Sequence, residues 1–85
     1  MHLLRMINAA QIRAARALLN WSRKQLGEAA GVPFSTLSDF ETERTASMLS
    51  TTMGKIISAC EKAGVIFVAE NSTQGAGVRF KRPKE

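Results

Sequence analysis

Residues 22–44 read SRKQLGEAAGVPFSTLSDFETER, two short helical patterns separated by a single Gly-Val pair. Ser22-Arg23-Lys24-Gln25 has capping-box spacing, with Ser22 as N-cap and Gln25 at the third helical position. Leu26, Ala29 and Ala30 are the expected inward residues of a helix over about 23–30. Gly31 ends it, because a residue without a Cβ takes the positive φ of a left-handed terminus without a clash. Val32 follows as a hydrophobic plug. Pro33 suits the first turn of a new helix, where a missing N–H costs little. That helix is expected over about 33–41, with Leu37 and Phe40 apolar. Two helices joined by so short a turn stand at a steep angle, so the second projects from the body of the domain.

The flanks supply the rest of a core. Asn8 can cap a helix over about 8–19, in which Ile12, Ala15, Leu18 and Leu19 recur at helical spacing while Arg13 and Arg16 take other positions. Trp21 reads as a core anchor beside the next helix. Thr42–Ser47 is polar and loop-like. Leu49, Met53, Ile56, Ile57 and Cys60 share one face of a further helix closed by Gly64. The period then changes. Val65-Ile66-Phe67-Val68-Ala69 is β-branched and aromatic, residues 71–77 carry turn chemistry, and Val78-Arg79-Phe80-Lys81 alternates apolar with basic. The expected fold is mainly α, a compact domain of four to five helices over residues 1–64. A β-hairpin follows over 65–82, with a frayed tail at 83–85.

Composition narrows the function. Eighty-five residues with 45% hydrophobic content allow one compact core but no core plus a deep enzyme pocket. The net charge of +5 and the pI near 10.2 point to a polyanionic partner. A single cysteine excludes an internal disulfide, and the single histidine, His2, excludes a Cys/His metal cluster. The chain has no run of about 20 apolar residues, so no membrane span is expected. The first 27 residues carry five Arg/Lys and no acid. This transit-peptide-like bias runs straight into the globular pattern, so it is read as part of the domain. No carboxylate pair, nucleophile–base set or phosphate-binding glycine loop appears, so catalytic residues, metal, cofactor and small-molecule ligand are all expected to be absent.

A projecting helix of this size suits the DNA major groove. The constellation Gln25-Leu26-Gly27, Gly31-Val32, Thr36-Leu37 and Phe40-Glu41 resembles the helix-turn-helix of the Xre/Cro-like transcriptional regulators, a lambda-repressor-like fold. With the flanking helices the resemblance covers about residues 7–64. It implies a homodimeric DNA-binding domain, with Phe34, Ser35, Ser38 and Asp39 as base readers. Phe34 would meet a thymine methyl and Asp39 a cytosine amino group. Ser22 and Arg23 become phosphate contacts, since backbone N–H groups and positive charge meet at the start of their helix, with Thr36 and Arg44, the latter in the loop after the recognition helix, as further phosphate contacts. Arg16 and Glu41 match positions that form a partly buried ion pair in the family. Two departures stand out: Pro33 replaces the usual Ser/Thr N-cap, and Asp39, Glu41 and Glu43 make the recognition helix acidic. Affinity must then come from the basic flanks, which include Arg79, Lys81 and Arg82.

Two strands alone are marginal in water, so the hairpin needs a helix to pack on or a second copy to extend its sheet. The expectation is dimerisation through Phe67, Val78 and Phe80, placing two recognition helices about 34 Å apart on a palindromic operator. The rival is that the hairpin only covers the monomer's own core. The functional expectation is a cytoplasmic, nucleoid-associated repressor or dual-acting switch, controlled by concentration, dimerisation or a partner. The alternatives are an antitoxin-like or anti-activator protein-binding module on the same scaffold, and a nonspecific nucleic-acid binder using its basic flanks.

Overall fold

The structure, a computed structural model, describes residues 7–43 and 49–83. Among these, four helices and two strands follow one another: α1 (Ala9–Leu19), α2 (Arg23–Ala30), α3 (Phe34–Glu41), α4 (Ser50–Lys62), β1 (Val65–Val68) and β2 (Gly77–Phe80). His2, Arg44, most of the loop after Thr42 and the last two residues lie outside the described residues.

Two capping boxes set the first two helices. The Asn8 side chain accepts from the Gln11 N–H while Gln11 Oε1 accepts from the Asn8 N–H, both at 2.9 Å. Ser22 and Gln25 repeat the arrangement at 3.0 and 2.8 Å. Each box satisfies two backbone donors that the helix itself leaves without partners. α1 closes on Asn20 and α2 on Gly31, both left-handed, at φ 58° and 71°.

The turn between α2 and α3 is held by Gly27. Its carbonyl accepts from the N–H of Val32 at 2.9 Å, and a Cβ on Gly27 would lie 2.8 Å from the Val32 carbonyl oxygen. Gly27 must therefore face the turn, which sets the rotation of α2. Leu26, Gly27 and Ala30 point inward and Ala29, about 200° round from Gly27, is exposed, contrary to its expected inward place. α3 begins at Phe34, with Pro33 as an extended flanking residue whose carbonyl accepts the first helical bond; no side chain caps it.

The core gathers Ile12, Leu26, Val32, Leu37, Phe40, Met53, Ile56, Cys60, Val65 and Phe67, with Leu18, Leu19 and Trp21 packed against it. Leu49 does not join them. It precedes α4 in extended backbone and is 75% exposed, so it falls off the stripe that begins at Met53. The strands pair antiparallel, Val65 opposite Phe80 and Phe67 opposite Val78. The pleat puts these four side chains on one face of the sheet. That face lies against the core, with Val65 and Phe67 buried and Val78 and Phe80 packed onto it. The sheet thus rests on α1 and α4 of its own chain.

Candidate nucleic-acid interface

α3 buries Leu37, Phe40 and Glu41 and turns its other side outward. Phe34, Ser35, Thr36 and Asp39 are exposed and Ser38 is half-buried. Phe34, at 55% exposure, is a large apolar side chain held in solvent at the start of the helix. The four expected base readers therefore occupy one continuous outward surface, at i, i+1, i+4 and i+5.

The buried side of the same helix ends in an ionic cluster. The Glu41 side chain is fully buried. Arg16, from α1, donates to it three times: Nε to Oε1 at 3.1 Å and Oε2 at 2.9 Å, and Nη2 to Oε1 at 2.8 Å. Arg16 Nη1 also donates to the Trp21 carbonyl at 3.1 Å, tying α1 to the start of α2. Arg23 joins from α2, with Nε 3.3 Å from Glu41 Oε1 and Nη1 donating to Ser38 Oγ at 3.2 Å. Arg13 Nη1 donates to the Glu41 carbonyl and lies 3.8 Å from the exposed Glu43 carboxylate. Three arginines from two helices thus converge on the end of α3, and the fork geometry of guanidinium orients each contact. This cluster and the Gly27 turn together hold α3 at both ends.

Arg23, expected as a phosphate contact, is thus engaged inside the protein. Its backbone position is still the first turn of α2. There Ser22 uses its hydroxyl oxygen on the Gln25 N–H, while the N–H groups at the helix start are aligned as an anion would need. Arg44 lies outside the described residues. Lys81 and Arg82 meet Lys62 and Glu61 around an open groove of about 470 Å3 at the C-terminal end of α4. Lys62, Lys81 and Arg82 are therefore gathered, with one carboxylate among them.

Sequence reasoning missed two residues. Gln11 is 4% exposed, and its Nε2 donates to the carbonyls of Val68 and Gly77 at 3.2 and 3.1 Å, besides capping α1. Its capping-box spacing from Asn8 was the available signal, but the long-range bonds carry none. Arg23 as a second partner of Glu41 was likewise hidden, because it depends on how α2 crosses α3. Phe67, Val78 and Phe80, expected to join two copies, face their own core. Their alternation with Ile66 and Arg79 forces this once Val65 is buried. Cys60 is buried, and burial, then the neighbouring Glu61 charge, push its thiol up to about 11. Among the described residues no cluster of His, Cys, Asp and Glu could hold a metal ion, and no helix is long and apolar enough to cross a membrane.

A family model described as helix-turn-helix, HTH_3, matches residues 12–60, more than half of the chain and the span from within α1 through most of α4. The chain belongs to the HTH_3 helix-turn-helix family. Comparison with curated proteins gave no match. As an HTH_3 domain of the Xre/lambda-repressor-like kind, this is a DNA-binding regulatory module, with α2 and α3 as the helix pair and α1 and α4 as the packing that carries it.

Proposed function

We propose that the protein is a sequence-specific transcriptional regulator that lays α3 in the major groove of an operator and acts by occupying a promoter. The observation that carries this reading is the outward surface Phe34, Ser35, Ser38 and Asp39 on a helix pinned at its start by the Gly27–Val32 contact and at its end by Glu41. A reader of base edges needs such rigidity, because misplacement of a side chain by an ångström loses its hydrogen bond. Phosphate contacts come from the backbone N–H groups of the first turn of α2 beside Ser22, from Thr36 and from Arg44, and they set register rather than sequence, while the Arg23 guanidinium is held by Glu41 and Ser38.

The acting unit in this reading is a homodimer on a palindromic site, in which a second copy doubles the few base pairs that one short helix can contact. With Phe67, Val78 and Phe80 turned inward, a hairpin-mediated dimer would use the outer face, where Ile66, Val68 and Arg79 stand. The role is that of a repressor or dual-acting switch. A protein partner in place of DNA is the second reading, and exposed Phe34 and Leu49 are the apolar material it would use.

The test is selection of bound duplexes from a random pool at near-physiological salt with scrambled competitor. Enrichment of a palindrome supports the reading, and half-site spacing reports the dimer. Salt-sensitive retention without enrichment would indicate a nonspecific binder. No retention would move the protein to the partner-binding class.

A further inference from the structure

Resting on that reading of α3, we infer that Arg23 sets which kind of base edge Ser38 selects. A serine hydroxyl has one proton to donate and two lone pairs to accept with, and left free it rotates to suit either a donor or an acceptor. Ser38 is not left free. Arg23 Nη1 donates to its Oγ at 3.2 Å. The guanidinium is itself held by Nε at 3.3 Å from Glu41 Oε1, and Glu41 is held in turn by Arg16. Guanidinium has donors only and stays protonated, so the bond runs in one direction.

With a lone pair of Ser38 Oγ turned toward Arg23, its hydrogen points elsewhere. Within a helix the usual competitor is the carbonyl four residues back, Phe34 here. Among the described residues the Ser38 hydroxyl makes the one bond it accepts from Arg23, while the Ser38 carbonyl accepts from the N–H and Oγ1 of Thr42 at 2.9 and 2.8 Å. The hydroxyl proton is left without a protein acceptor, and accepting from a cation polarises the O–H, so the group offered to a base edge is a strengthened donor and a weakened acceptor. It suits a purine N7, guanine O6 or thymine O4 better than the amino groups of adenine and cytosine, which would have to use the one remaining lone pair. Arg23 acts through Ser38 and is a positioning residue. Glu41, buried, reaches Ser38 through two hydrogen bonds and the base edge through a third.

The test compares position-by-position base preferences of wild-type protein, Arg23→Met and Ser38→Ala in selection from a random duplex pool, each variant first checked for wild-type helical circular dichroism. Methionine keeps the length and apolar stem of Arg23 but donates nothing. Wild type should show one operator position with an acceptor-bearing preference that Ser38→Ala flattens by about fivefold, the effect of one hydrogen bond. Arg23→Met should flatten the same position and leave the others unchanged, whatever it does to overall affinity. The double variant should match Ser38→Ala at that position. If Arg23→Met lowered retention uniformly with every base preference intact, Arg23 would be a phosphate or packing residue and the inference would fail. It would fail equally if Ser38→Ala altered no position. A wild-type protein that enriched no motif would remove the operator reading itself, and this inference with it.

Discussion

Replacing Arg16 by methionine should destabilise the protein more than replacing both Arg16 and Glu41. The Glu41 carboxylate is wholly buried and takes three of its four side-chain hydrogen bonds from Arg16. Arg16→Met leaves that charge with Arg23 alone, at 3.3 Å and with a partly exposed guanidinium. Breaking a buried pair from one side costs about 3–5 kcal/mol, and the surviving Arg23 contact places the loss near the lower end, about 3 kcal/mol. A domain of this size has a stability of only about 4–13 kcal/mol, so the melting temperature should fall by roughly 12–24 °C. Glu41→Met acts differently. It strands two guanidinium groups that already reach solvent, so its cost should be smaller, about 1–2 kcal/mol. In the double variant Arg16→Met/Glu41→Met no uncompensated buried charge remains, and apolar packing replaces the pair. Its stability should lie above that of Arg16→Met alone. Urea unfolding followed by circular dichroism at 222 nm gives all three values. The reasoning is refuted if Arg16→Met lies within 1 kcal/mol of wild type, or if the double variant loses the sum of the two single losses.

Three further outcomes follow from the packing. Gly27→Ala should cost about 1–3 kcal/mol despite the better helix propensity of alanine, because its Cβ would meet the Val32 carbonyl oxygen at 2.8 Å and the obstacle is backbone; the same urea titration measures it. Gln11→Leu should remove the half of the α1 capping box in which Gln11 Oε1 accepts from the Asn8 N–H, and both bonds to the end of the hairpin. A loss of about 2 kcal/mol is expected, with the largest gain in amide hydrogen exchange at residues 65–68 and 77–80. Cys60, with its thiol pushed up to about 11, should resist iodoacetamide at pH 8 until the chain unfolds. Its raised pKa favours the folded state fully below the unfolded value near 9, and this contribution should fade as pH rises from there through about 11, read as a falling urea midpoint.

Local chemistry was legible in the sequence. Ser22 and Gln25 announce their capping box by spacing, and Gly31 announces a left-handed terminus, because each depends on residues within one turn. The helical stripe from Met53 to Cys60 and the antiparallel hairpin were visible for the same reason. What depends on the direction of packing was not. Ala29 and Ala30 carry the same side chain, and only the approach of Val32 to Gly27 decides which faces out. Phe67, Val78 and Phe80 alternate equally well toward a second copy or toward α1 and α4, and the burial of Val65 decides it. Gln11 and Arg23 reach partners distant in sequence, Gly77 and Glu41, which no local period encodes. The Arg16–Glu41 pairing came from the resemblance to a family, not from spacing.

The central claim is that the outward surface of α3 reads sequence. The most direct measurement compares duplex-pool enrichment by wild type and by Ser35→Ala/Asp39→Ala. Both side chains are exposed, so the variant should keep the wild-type melting temperature to within a few degrees. The account predicts that wild type enriches one motif, and that the variant keeps salt-dependent retention from its phosphate contacts while losing or changing that motif. An identical motif from both proteins would contradict it, since the bases would then be read from elsewhere on the molecule.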